Sequence, residues 1–299
     1  MLSILIPSYN HSALSLVKTI RAQCISEAII FEIIVIDDCS TNAQVIKNNQ
    51  AIAEIECCKL IINKTNAGRT ASRNTLAQAS KYEWLLFIDA DMMPVNKNFI
   101  GHFKLQKDPA IDLIFGGISY LNEKPKKNKI LRWKYGKAHE EISLKKRQKN
   151  PYTSIISGCM LIRKNLFLNV NQALLENRYG LDIFFSSLLK KRKVRIMHIN
   201  NPVYHLGLEN NACFFNKSMS AIDTLVYLET QKRIDSNINQ IQRSYAFLKK
   251  WKLTNTFLFL SQKNLKKLKK NAFSKSPYLF LFNMYRLHYY AILKKSNHD

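Results

Sequence analysis

Nowhere does this chain of 299 residues hold an uninterrupted apolar run close to the roughly 18 residues that a spanning helix needs. A membrane span is therefore not expected. The six cysteines, at 24, 39, 57, 58, 159 and 213, include no C-x-x-C pair of a zinc or redox site, and a chain this long does not depend on a disulfide scaffold. They read as free thiols in a reducing compartment. The opening, MLSILIPSYN, lacks the basic start of a secretory leader and is soon interrupted by proline and polar residues. The expected location is the cytoplasm. Acid is scarce beyond the first third. Residues 1–100 carry nine basic and nine acidic side chains, residues 101–200 carry 21 against seven, and residues 201–299 carry 16 against five, for a net charge of +25. An anionic partner is implied, whether a nucleic acid, a phospholipid surface or a phosphorylated substrate. Yet no helix-turn-helix, finger or RNP-like motif is present. AHEEIS at 138–143 lacks the second histidine of a zinc protease, and Gly116-Gly117 is not a dinucleotide fingerprint.

What is present is a hydrophobic content of 46%, enough for a folded core. LSILIPSYN predicts a strand over residues 2–6, ended by Pro7. HSALSLVKTIRAQ has apolar residues at 14, 17 and 20, the period of a helix. FEIIVIDDCS reads as a second strand, and residues 59–63 as a third. GRTASRNTLAQAS suits a helix, and WLLFIDAD reads as a fourth strand. Apolar strands alternating with helices argue for an α/β fold with a mostly parallel sheet covered on both faces. Residues 111–120 predict one further strand. The basic stretch 124–149 has few apolar anchors and reads as a loop. GLDIFFSSLLKKRKVRIMHI reads as a helix leading into a strand. The pattern beyond Leu208 is helical, which places a domain over 1–215 and a basic helical extension over 216–299.

The chemistry gathers at strand ends. WLLFIDAD runs a buried strand into Asp89, Ala90 and Asp91, and FEIIVIDD runs another into Asp37 and Asp38. In parallel α/β sheets, binding groups collect at the carboxyl edge. Carboxylate oxygens held on such a rigid base suit a hard divalent cation, with phosphate completing its shell. A strand-end turn with solvated aspartates would read the same from D-x-D alone. Arg69 and Arg73 in NAGRTASRN are either binding groups or plain surface charges. Asp182 before IFFSSLL is either a functional carboxylate or a helix N-cap. His205 in YHLG is either a ligand or an ordinary hydrogen-bonded residue.

Taken in order, these motifs resemble the family 2 glycosyltransferases, with their GT-A nucleotide-sugar-binding fold, over about residues 2–210. The resemblance implies a nucleotide pocket lined by Pro7, Ser8, Tyr9 and Asn10. It implies that Asp37, supported by Asp38, contacts uracil and ribose. Asn42 stands where the family has a further aspartate, and an amide there can still cap a helix. Asn66, Gly68, Arg73 and Asn74 match the family's NxGxxxARN element, with Ser72 for the usual alanine, and with Arg69 they would wall the donor site. The metal-binding D-x-D falls on Asp89 and Asp91, with His205 as a late ligand for Mn²⁺ or Mg²⁺. Asp182 matches the catalytic base, while Leu181 replaces the glutamate that usually precedes it.

The implied reaction is inverting transfer of a hexosyl or N-acetylhexosaminyl group. The donor would be a nucleoside-diphosphate sugar with UDP as the nucleotide. The acceptor would be a glycan or a lipid-linked glycan, as in building cell-envelope polysaccharide such as lipopolysaccharide. Two other classes compete: a nucleic-acid-binding protein using the basic regions, and a nucleotidyltransferase, which would need a glycine-rich triphosphate cradle that ILIPSYNHS lacks. The C-terminal run LKKLKK followed by PYLFLFNMYRLHYYAILKK mixes lysine with aromatic and leucine residues. It fits helices lying on an anionic bilayer surface at the inner face of the cytoplasmic membrane, or equally a packed helix pair or an oligomer contact.

Overall fold

The computed structural model describes residues 1–104, 108–153, 155–171 and 177–296. The chain divides into two compact units. One comprises Met1–Leu121, Glu140–Asn177 and Leu188–Gly207; the other comprises Asn122–His139, Arg178–Ser187 and Leu208–Asp299. The helical unit thus takes in two segments that precede the expected boundary at residue 215.

The first unit is built on a seven-stranded sheet. Strands β1 (Leu2–Ser8), β2 (Phe31–Asp37), β3 (Cys58–Ile62) and β4 (Trp84–Ile88) run parallel in the spatial order β3-β2-β1-β4. Their sequences are nearly all apolar because the central ones are buried on both faces. Ile4, Leu5, Ile6, Val35, Leu86 and Phe87 are wholly inaccessible, and each such side chain contributes about 1.5–3 kcal/mol through burial. Helices α1 (Leu14–Ser26), α2 (Ala43–Gln50) and α3 (Arg69–Ala79) alternate with the strands. Beyond β4 the order continues β8-β6-β9, with β8 (Cys159–Arg163) antiparallel to both β4 and β6 (Leu113–Phe115), and β9 (Ile196–His198) parallel to β6.

The single strand expected over 111–120 is two strands in two sheets. β6 ends at Phe115, and β7 (Ile118–Ser119) joins a small sheet with β5 (Met92–Pro94) and β10 (Val203–His205). The break falls at Gly116-Gly117, where Gly117 adopts φ +111°, a conformation that side-chain-bearing residues avoid. The small sheet matters because it pairs His205 with Met92, beside Asp91.

The stretch 124–149 is not the loop that its composition suggests. It forms α5 (Ile130–His139) and α6 (Leu144–Lys149). In the helical unit, Leu131 joins Phe214, Phe215, Ala272 and Phe282 in one buried cluster, with Tyr135 packed against it. Asn211 Oδ1 accepts from the Leu131 N–H at 3.0 Å. A few well-placed anchors suffice because their partners come from far along the chain. Those partners lie on α9 (Asn211–Thr230), α11 (Thr254–Ala272) and α12 (Leu279–Ser296), with α10 (Gln240–Lys250) completing the set. A second, polar knot ties α9 to α12: the Glu229 carboxylate accepts from the Tyr290 hydroxyl and from Lys294. Among the described residues, no helix is long and apolar enough to cross a membrane.

Candidate active site

Ser8 at the end of β1 stands in register with Asp37 at the end of β2, so the residues that follow both strands emerge at one edge. Asp37 and Asp38 are both buried, and internal donors use their oxygens. Asp37 Oδ1 accepts from the Ser40 N–H at 2.8 Å and Oδ2 from the Asn49 amide at 2.9 Å. A cavity of about 190 Å³ opens beside Asp37, lined by Ser40, Ile46, Asn49, Leu60 and Asn63 among others. Asp38 Oδ1 accepts from the Asn63 amide at 2.7 Å and the Ala67 N–H at 2.9 Å, and Oδ2 from the Gly68 N–H at 2.8 Å. The Asn66 amide adds a bond to the Asp38 carbonyl at 3.1 Å. Asp38 therefore shapes the 63–68 turn.

Pro7, Ser8, Tyr9 and Asn10 form the neighbouring rim. Pro7 is half-buried and its carbonyl accepts from the Ala90 N–H at 3.4 Å. The buried Ser8 hydroxyl donates to the His11 carbonyl. Tyr9 is exposed. Asn10 adopts φ +50°, and its Oδ1 accepts from the backbone of Thr41 and Asn42, joining the turns after β1 and β2. Asn42 caps α2, its side chain accepting from the Val45 N–H at 3.1 Å, so the amide serves in place of an aspartate as a cap.

Gly68 opens α3 with φ +86°, and a Cβ there would lie 2.2 Å from Asn177 Oδ1. Arg69 and Arg73 are one helical turn apart on α3 and so share a face. Both reach Asp89: Arg69 Nη2 lies 3.2 Å from Oδ2, and Arg73 Nη2 pairs with Oδ1. Arg73 is buried and Arg69 half-exposed. Asp89, expected with Asp91 and His205 as a metal ligand, is engaged here by both guanidinium groups. Its carboxylate balances the buried Arg73 guanidinium, which a charge at that depth requires, and reaches the half-exposed Arg69 as well.

Asp91 has different company. His205 Nε2 lies 3.2 Å from its Oδ2, and the Leu206 N–H donates to its carbonyl at 2.9 Å. Burial alone would raise the Asp91 carboxyl. The hydrogen bond and charge of His205, with His11 and Arg69 beyond, outweigh it and hold the group below its usual value of 3.8. The His205 ring stands 5.5 Å from that of Tyr120, and its Nδ1 is buried without a partner among the described residues. The ring's polar contact among those residues is directed at Asp91. Gly207 closes the group, since a Cβ there would lie 2.2 Å from Asp91 Oδ2.

One carboxylate oxygen and one imidazole nitrogen are a donor set that Mn²⁺ or Mg²⁺ accepts. A separation of 3.2 Å is close to the roughly 3 Å between adjacent corners of an octahedron with ligands near 2.1 Å. The spacing of the two side chains suits such an ion, which would take the place of the proton between Nε2 and Oδ2. Among the described residues, no three His, Cys, Asp or Glu side chains gather at one point, so phosphate and water would supply the remaining ligands.

Asp182 belongs to the helical unit. It is exposed and is the first residue of α8 (Asp182–Lys191). The N-cap reading is corrected: the Leu181 carbonyl accepts the first helical bond, from Phe185 N–H at 2.9 Å, so Leu181 holds the cap position. Asp182 in the first turn is favoured by the helix dipole. Leu181 is buried, which accounts for an apolar residue there.

Sequence reasoning singled out His205 but missed Asn49 and Asn63, which hydrogen-bond to Asp37 and Asp38, and Gly207 and Asn177, which lie close against Asp91 and Gly68. Only Gly207 left a trace, as a glycine two places after the histidine.

The sequence pattern of the family described as Glycosyl transferase family 2 matches residues 3–170. An uncharacterized glycosyltransferase of Haemophilus influenzae is 29% identical over 257 residues, covering 79% of this chain and 75% of that protein. Among solved structures, a mannosyltransferase from Pyrobaculum calidifontis, in complex with GDP-Man and Mn²⁺, is similar over 99% of this chain and 86% of its own, with a TM-score of 0.56 and 13% identity. Glucosyl-3-phosphoglycerate synthase from Mycobacterium tuberculosis, in complex with Mg²⁺ and UDP, is similar over 79% of this chain and 81% of its own, with a TM-score of 0.51 and 14% identity. At such identities the solved structures bear on the fold.

Proposed function

Because the chain belongs to glycosyl transferase family 2, we propose that it moves a sugar from a UDP-linked donor to a hydroxyl of a glycan or lipid-linked acceptor, inverting the anomeric carbon. It is a glycosyltransferase with the mixed α/β fold of GT-A enzymes. The donor, the acceptor and the sugar, hexosyl or N-acetylhexosaminyl, are the proposal. The observation that carries it is the convergence of Asp91 and His205 at 3.2 Å, beside an Asp89 held by two arginines.

A divalent ion held by Asp91 and His205 would supply neutralisation of the diphosphate as it departs. The protein groups do the rest. Pro7, Ser8, Tyr9 and Asn10, with Asp37 and the cavity beside it, line the nucleotide's place. Asp38 keeps Asn66 and Gly68 as a fixed wall, and Asp89 and Ala90 form its floor. Arg69, half-exposed at the N-terminus of α3, offers its guanidinium to the diphosphate, as arginine does to phosphate oxygens. Asp182 accepts the proton of the acceptor hydroxyl while that oxygen bonds to the anomeric carbon and the nucleoside diphosphate leaves with its bonding pair. The Asp182 role comes from the family motif. A lipid-linked acceptor would be met at the cytoplasmic face of the cell membrane.

Thermal-shift titration with UDP-, GDP- and dTDP-sugars, with and without Mn²⁺, tests the reading. A metal-dependent rise for UDP-sugars is expected. A rise confined to another nucleotide would replace UDP in the proposal, and no rise with any donor would overturn it.

A further inference from the structure

From residue 236 to residue 298 the chain has no aspartate or glutamate, against 13 lysines and arginines. The structure shows where apolar surface accompanies that charge. At the corner between α10 and α11, Phe247 is 57% exposed, Trp251 60% and Leu253 43%. The Phe247 and Trp251 rings stand 6.2 Å apart, forming one aromatic knob. Lys249, Lys250 and Lys252 interleave with them and are exposed too. The corner is ordered by backbone bonds: Lys252 N–H donates to the Lys249 carbonyl at 3.1 Å and Leu253 N–H to the Leu248 carbonyl at 2.8 Å, with Lys252 at φ +56°. This is the closing motif of a helix end, normally given to glycine. Here a lysine holds it, which keeps one more charge at the tip.

The basic surface continues along α11. Its buried residues, Ser261, Leu268 and Ala272, form one stripe. Lys263, Lys266, Lys267 and Lys270 are all exposed and by helical geometry fall on the other side. The Lys263 ammonium lies over the exposed Phe259 ring at 4.1 Å.

We propose that the α10–α11 corner docks on an anionic phospholipid surface, with Phe247, Trp251 and Leu253 entering the interfacial layer and the flanking lysines meeting the headgroups. Three observations select this occupant. A large exposed aromatic pair with an aliphatic neighbour suits the boundary between headgroups and acyl chains. The lysines complement anionic lipid. A second copy of this surface would set lysine against lysine, and no helix among the described residues is long and apolar enough to span, so the attachment is peripheral. A nucleic acid would engage the lysines and stack on the rings but would gain nothing from Leu253.

The test uses the full chain in co-sedimentation with vesicles of phosphatidylcholine alone, or mixed with phosphatidylglycerol. Parallel titrations use a DNA duplex. Wild type is expected to pellet only with the mixed vesicles, less so at high salt, and to show a tryptophan emission blue shift that Trp251→Phe removes. Lys249→Gln/Lys250→Gln/Lys252→Gln should weaken vesicle binding by roughly a hundredfold, at about fivefold per lysine near an anionic surface. Phe247→Ser/Trp251→Ser should lose vesicle binding while keeping its melting temperature and any DNA binding. If that aromatic variant pellets as wild type does, or if DNA is bound more tightly than vesicles and competes them away, the proposal fails. Donor binding is measured separately, so that failure would leave the sugar-transfer reading standing.

Discussion

Gly207 stands so close to Asp91 that a methyl group in place of its hydrogen would lie 2.2 Å from Oδ2. No side chain fits there unless the carboxylate turns away from His205. Gly207→Ala is therefore expected to weaken Mn²⁺ binding and lower kcat/KM by roughly 10- to 100-fold, the usual cost of disturbing groups that orient metal ligands. Calorimetric Mn²⁺ titration and steady-state rates check this. An unchanged Mn²⁺ affinity would show that Asp91 is not a ligand.

Asp182→Asn keeps the size of the side chain and should cost about 1 kcal/mol or less of stability, the scale of a first-turn carboxylate's interaction with the helix dipole. If Asp182 is the base, turnover should fall by roughly 10²- to 10⁴-fold, while the donor dissociation constant stays near wild type. Rate assays beside donor titration separate the two. Turnover close to wild type would end the assignment.

Much of this was legible in the sequence because local pattern and tertiary role coincide. LSILIP, IIVI and WLLFI are apolar because they are central strands, and the aspartates that end the last two stand out for the same reason. What stayed hidden depends on partners distant in sequence. Arg69 and Arg73 were visible as charges, but that both end on Asp89 follows from how α3 lies across β1 and β2, next to the end of β4, which pairs with β1. The division of 111–120 depends on Gly117 and on Arg147, about thirty residues away. Helix α5 escaped notice because Leu131 and Tyr135 find their neighbours from Phe214 onward, far along the chain.

Arg147 is almost wholly buried and donates to four carbonyl oxygens, those of Phe115, Gly116, Ile142 and Ile199. It fastens the point where the chain leaves the large sheet for the small one. Arg147→Met should strip the Ile142 and Ile199 carbonyls of their Arg147 donor, while Phe115 and Gly116 keep the N–H groups of Ile199 and Asn201; at about 1 kcal/mol or more for each lost bond, stability should fall by roughly 2–3 kcal/mol. Urea unfolding measures the loss. Because β7 pairs with β10, which carries His205, Mn²⁺ affinity should fall as well.

Chelation is expected to abolish transfer, and Mn²⁺ or Mg²⁺ to restore it. His205→Gln should need a higher Mn²⁺ concentration for half-maximal rate if His205 holds the ion as proposed. Equal metal requirements in the variant and the wild type would remove His205 from the shell.

The three bonds that Asp38 accepts from Asn63, Ala67 and Gly68 have a kinetic consequence. A turn already tied by its own carboxylate has little disorder left to lose, so, with this turn as the proposed wall of the donor site, it adds little entropic resistance to capture. Association there should follow a single exponential, its rate rising in proportion to donor concentration without a plateau.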